Sequence, residues 1–153
     1  MEIDKLTSAD KLFLIYHLTM SIEKNKLSQS EFNDISVNDL HIIHMLYLDD
    51  TLTGTQLAKL MSVSKPALSS SIDKLEKKGY LYRSLSNQDR RVYNIRLTKK
   101  GIRLSELHNA DHINYINFLL KDCTENDIHK LDSLLNDAVN SLNQELKKED
   151  QSS

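Results

Sequence analysis

Hydroxyl and ammonium groups crowd one stretch of this sequence, at Ser64, Lys65, Ser69, Ser70 and Lys74, and a second stretch sets Asp89 directly before Arg90 and Arg91. Small hydroxyls allow close approach and bond to phosphate oxygens or to base edges, while Lys and Arg add charge beside a sugar-phosphate backbone. The chemistry on offer is recognition of a polyanion rather than the making of bonds. A different chemistry is suggested by His108 and His112, whose i, i+4 spacing puts two imidazoles on one helical face, an arrangement widely used for Zn²⁺.

The elements that must position these groups follow from caps and periodicity. Apolar residues from Leu12 to Ile22 predict a first helix from about Ser8 or Asp10 to Leu27, with too many apolar positions for one narrow stripe and so more than one neighbour. Ser36 with Asp39 forms a capping-box start for a helix through His41, Ile42, Met45, Leu46 and Leu48, which Asp49 and Asp50 end. Thr53 with Gln56 repeats the signature and opens a short helix with Leu57, Ala58 and Leu60 inward. After the turn Met61, Ser62, Val63, Ser64 caps a further helix with Pro66 in its first turn, where the missing N–H costs nothing. Its stripe is Ala67, Leu68, Ile72 and Leu75, and Gly79 suits its left-handed C-cap. The period then changes to two, with strands around Leu81–Leu85 and Val92–Leu97 flanking a polar turn. Thr98 caps a long helix through Leu104, Leu107, Ile113 and Leu119. Thr124 with Asp127 caps a last one, in which Ile128, Leu131, Leu135, Ala138 and Leu142 keep 3,4 spacing. The polar tail from Lys147 to Ser153 is expected to be disordered.

Two short helices joined by a tight turn project the second as a ridge that fits a major groove, and arginines at a hairpin tip reach the adjacent minor groove. The candidate DNA-binding set is Thr53, Ser64, Lys65, Pro66, Ser69, Ser70, Lys74, Asp89, Arg90 and Arg91. The charge distribution agrees although the total does not. The chain has a net charge of -2, yet residues 59–103 hold twelve Lys and Arg against three acids, a local +9 between segments of -5 and -6. A polyanion would be drawn to the middle of the chain and repelled by its ends.

Composition narrows the class further. With 39% hydrophobic and 27% charged residues over 153 positions, the chain is long enough for a real core, and three Gly and one Pro favour helices over a many-turned β fold. One cysteine, Cys123, excludes an intrachain disulfide and fits a reducing compartment. The sequence has no long apolar run and no basic N-terminal leader, so a cytoplasmic protein with no membrane partner is expected. It also has no Gly-rich phosphate loop, nucleophile elbow or H-E-x-x-H, and an enzyme is not expected.

The run Asp89, Arg90, Arg91, Val92, Tyr93, Asn94, Ile95, Arg96, Leu97, Thr98, Lys99, Lys100, Gly101 resembles the D-x-R wing, hydrophobic strand and L-T-x-x-G of the MarR family of bacterial and archaeal transcriptional regulators. Ile72 to Tyr80 resembles the end of that family's recognition helix. The resemblance extends over the chain in helix order and length, with its specific motifs between Leu40 and Gly101. It implies a mainly α winged helix-turn-helix of order α-α-α-α-β-β-α-α. Within the single chain 1–153, it implies a DNA-binding lobe at 36–101 and a helical dimerisation lobe from 8–30 and 102–146. It further implies a homodimer that binds a pseudo-palindromic double-stranded DNA operator, usually as a repressor. By the same resemblance Arg91 is the minor-groove arginine and Asp89 braces the wing; Pro66 departs from the usual recognition helix. Dimerisation has independent support, because the terminal helices hold more apolar surface than a small winged-helix core can cover.

Members of the family couple DNA affinity to an effector. Glu23 and His41, with His108 and His112, match the ligand positions of its zinc-responsive branch, and one Glu with three His would complete a tetrahedral zinc site. The chain lacks that branch's His-rich run and its cysteine after the first helix, where Phe32 and Asn33 stand. A branch that represses fatty-acid synthesis is similar in having His at such positions. Two readings of the effector stay open, a metal ion and a hydrophobic or acyl-type small molecule or partner. A third reading, from a different class, is a winged-helix module used only for protein association.

Overall fold

A computed structural model describes residues 2–85 and 93–151. After a short 3-10 turn the order is α1 (Ser8–Gln29), α2 (Val37–Leu48), α3 (Gly54–Leu60), α4 (Lys65–Lys77), β1 (Leu81–Leu85), β2 (Tyr93–Leu97), α5 (Lys99–Leu119) and α6 (Glu125–Gln151). This is the mainly helical winged helix-turn-helix with one antiparallel hairpin that the sequence predicts.

Caps set the starts. Ser36 with Asp39 and Thr53 with Gln56 form reciprocal boxes, and a third, Thr7 with Asp10, starts α1 at Ser8, the earlier of the two expected starts. Thr124 and Asp127 exchange the same pair of bonds at 3.1 and 3.2 Å before α6. Ser64 caps α4 by accepting from the Ala67 N–H at 3.3 Å. Its third helical residue is alanine, so no side chain can reply. The stops of α3 and α4 share a geometry. At the end of α4, the Tyr80 N–H reaches the Leu75 carbonyl and the Gly79 N–H reaches that of Glu76, with Gly79 at φ 74°. The turn after α3 repeats this with Val63 to Ala58 and Ser62 to Lys59, but the left-handed position is Ser62, at φ 52°.

Residues up to Asn109 and residues from Ala110 onward form two compact units. The first holds the core, in which Ile43, Leu46, Leu57, Leu75, Tyr80 and Leu81 are all but inaccessible. Two expected core positions are exposed. Leu60, at 42%, ends the short α3, and Met61 one residue on packs against the core instead. Ala67 lies on the edge of the α4 stripe in its first turn. The hairpin pairs Leu81 with Leu97, Arg83 with Ile95 and Leu85 with Tyr93. Thr98 then ties the hairpin to α5. Its hydroxyl lies 2.6 Å from the Gly79 carbonyl and accepts from the Gly101 N–H at 3.3 Å. Gly101 is buried because α5 starts against the Tyr80 carbonyl, with which a Cβ would collide. The L-T-x-x-G run is thus a joint between wing and helix.

In the second unit no described side chain is buried. Here α6 continues to Gln151, so part of the expected disordered tail is helical. An i, i+3 pair between Lys148 and Glu145 at 3.0 Å supports that end without a core.

Candidate nucleic-acid interface and histidine cluster

The face of α4 opposite Leu68, Ile72 and Leu75 is exposed at Lys65, Pro66, Ser69 and Ser70. Ser64 is also exposed while capping the helix, so the N-terminal half of α4 presents three hydroxyls and one ammonium to solvent. Thr53, Lys65 and Ser69 line one side of an open cleft of about 540 Å³, and Arg83, Tyr93 and Ile95 of the hairpin line the other. Tyr93 and Thr55 in this cleft were not singled out by sequence. Only the register of β2 puts Tyr93 beside α4. Asp89, Arg90 and Arg91 lie outside the described residues.

The structure changes the meaning of the basic segment. Lys74, counted as a DNA contact by type and spacing, donates at 2.5 Å to Asp39, a carboxylate that is 3% exposed and caps α2. Burial raises the cost of ionising Asp39. The bonds from Lys74 and Ser36 outweigh that cost and hold its carboxyl below the ordinary value. Arg83 bridges Asp73 and Glu76, and Arg96 lies 2.9 Å from Asp50. Lys78 and Lys100 both face Asp34, whose carboxylate also accepts from the buried Tyr80 hydroxyl at 2.6 Å. Arg103 pairs with Glu31. Several of the acids of the N-terminal segment are therefore partners of the basic segment rather than a separate acidic surface. Among the described residues Lys65, Lys77 and Lys99 form no ion pair. The charge open to a polyanion is narrower than +9 and includes the first turn of α4.

A second cluster lies in the same unit. Glu23 of α1, His41 of α2 and His108 of α5 bring their ligand atoms within 4.8 Å of one another, with Glu23 and His108 buried. Glu23 Oε2 and His41 Nε2 are 2.9 Å apart. His44 joins them, its ring edge-on to that of His108 at 4.7 Å between centroids. The i, i+3 spacing of His41 and His44 puts both rings on one side of α2, and His44 is half-buried. His112, the fourth ligand that the resemblance implies, belongs to the unit that begins at Ala110. Two ligands on one tetrahedral zinc lie about 3.3 Å apart, so small side-chain adjustments would let Glu23, His41 and His108 share an ion. Cys123 is exposed and His17 packs its ring on Phe13.

The family model described as MarR family matches residues 35–93. Among solved structures, Streptococcus pneumoniae FabT in complex with DNA is 30% identical, over 89% of this chain and 95% of that one, with a TM-score of 0.78. The Staphylococcus aureus MepR–DNA complex is 28% identical over 90% and 99% of the two chains, with a TM-score of 0.69. A MarR protein from Peptoclostridium difficile, 20% identical over 97% and 96%, shares the fold with a TM-score of 0.75.

Proposed function

The chain belongs to the MarR family of DNA-binding transcription regulators, and from that premise we propose that it is a homodimeric repressor of a pseudo-palindromic operator, with an effector setting its affinity. The observation that carries the DNA part is the exposed N-terminal half of α4, which presents Ser64, Lys65, Ser69 and Ser70 to solvent, with Lys65 and Ser69 lining an open cleft shared with the wing strands. Two such helices about 34 Å apart, one DNA turn, would read two half-sites. Dimerisation is supported by apolar side chains left exposed on α1, at Leu12, Phe13 and Tyr16, and on α6, at Leu131, Leu135 and Leu142. The described residues contain no helix long and apolar enough to cross a membrane.

For the effector, the meeting of Glu23, His41 and His108 supports a metal ion, with Zn²⁺ best suited to a carboxylate and imidazoles. Metal binding would replace the Glu23–His41 hydrogen bond and draw α1, α2 and α5 to a common centre. The alternative is a hydrophobic or acyl-type effector, with the histidines serving as a buried polar network.

Both parts are open to a direct test. Operator binding measured against salt should show a steep slope, which Lys65→Ala and Arg91→Ala each reduce by about one. Affinities that neither substitution changes at low salt would reject the DNA face. Adding Zn²⁺ to chelated protein should shift operator affinity, and His108→Ala should abolish the shift. Equal affinity with and without metal would leave the hydrophobic effector.

A further inference from the structure

We infer that Arg83 is a positioning residue for DNA binding, a guanidinium on the wing strand that locks the recognition helix in place and masks the acids on that helix. The inference rests on the DNA-binding reading of α4. Asp73 and Glu76 are one turn apart on α4, and their carboxylates turn toward β1. One guanidinium nitrogen of Arg83 lies 2.5 Å from Asp73 and the other 2.5 Å from Glu76. The second oxygen of Glu76 accepts from the Arg83 backbone N–H at 2.9 Å. Glu76 therefore grips both the main chain and the side chain of one strand residue, which pins the strand itself to the helix. A planar fork holds two carboxylates on two separate nitrogens in a fixed geometry, whereas an ammonium must gather both onto one nitrogen. Asp73 and Glu76 together raise the Arg83 pKa, Asp73 most, against the opposing effect of burial.

The electrostatic consequence concerns the DNA. Asp73 and Glu76 are the acids of α4, and each pairs with no other cation among the described residues. Arg83 lines the same cleft as Lys65 and Ser69. Without it, two uncompensated carboxylates would stand on the helix that approaches phosphates, and the wing would lose its tether. Adjacent positions divide the labour, since Asp73 is held by the wing while Lys74 is held by Asp39 on α2.

The test is a comparison of full-length variants. Arg83→Ala should weaken operator binding about tenfold while leaving the salt slope within half a unit of wild type, unlike a phosphate contact, whose loss lowers the slope by about one. Arg83→Lys should recover only part of the loss. Adding Asp73→Asn and Glu76→Gln to Arg83→Ala should bring affinity back to within about threefold of the variant carrying those two changes alone. A slope reduced by one, or no rescue on neutralising the acids, would make Arg83 a phosphate contact and overturn the inference. Hydrogen exchange reads the tether without DNA. Glu76→Ala should speed exchange at the Arg83 amide, and an unchanged rate there would also overturn it. Should wild-type protein bind no operator, the DNA-binding reading fails on its own measurement, and the exchange result still judges the tether.

Discussion

In α4 the residues Leu68, Ile72 and Leu75 are all buried, whereas in α6 Leu131, Leu134, Leu135 and Leu142 stay exposed, although both helices space their apolar residues by threes and fours. An amphipathic stripe states that a face needs cover and leaves open where the cover comes from. For α4 it comes from the same unit, through the core built on α2, α3 and the hairpin. For α6 the described residues of its own unit leave the stripe exposed, and in the proposed dimer a second copy covers it. The two helices should therefore respond to mutation in different ways.

The largest effect is expected where the cover is intermolecular. Leu131→Glu with Leu135→Glu should make the chain monomeric in analytical ultracentrifugation, with helical circular dichroism retained. Operator affinity should fall about 1,000-fold as the second half-site is lost. A double variant that stays dimeric would move the association surface away from α6. Next comes the core of α4. Leu75→Ala should cost about 2–5 kcal/mol in denaturant unfolding, by an amount independent of protein concentration. The loss from Leu135→Ala should grow as the protein is diluted, because association contributes to its stability.

Two smaller effects sharpen the contrast within the first unit. Ser64→Ala removes the single cap of α4 and should lower stability by about 1 kcal/mol, read from the unfolding midpoint. Asp39 adds a pH dependence. Its folded carboxyl is held below the ordinary 3.8, so its contribution is complete above that range and is lost as pH falls through 3.8 toward the lower folded value. Unfolding curves taken between pH 5 and pH 2 should show this acid-side loss, and Asp39→Asn should flatten it; an unaltered slope would mean that other carboxylates dominate.

Much of the fold was legible because its signals are local. A capping box spans four residues, and Ser36–Asp39, Thr53–Gln56 and Thr124–Asp127 all form as their types predict. The exposure of Lys65, Ser69 and Ser70 follows from the stripe opposite them. The errors sit where local pattern meets packing. Leu60 and Ala67 are apolar and near the stripe, yet each lies at a helix end, and rotation by one residue decides which side chain the core receives. The tail through Gln151 stays helical because surface pairs such as Glu145–Lys148 can support a helix that has no core to join.

The charge map shows the deeper division. Sequence alone established that cations concentrate between residues 59 and 103, that a capped, serine-bearing helix lies among them, and that a hairpin follows. It could not establish which cations remain available. Lys74 meets Asp39 and Tyr80 meets Asp34 across 35 and 46 residues of chain. Arg83 turns back onto Asp73 and Glu76 only because Gly79 reverses the chain between helix and strand. Glu23, His41 and His108 likewise come from three helices, and only the family resemblance, not any local pattern, grouped them beforehand. Backbone periodicity and caps act over a few residues and are written in order along the chain. Ion pairing and ligand grouping act through space, so only the tertiary structure decides which charges are matched and which face a partner.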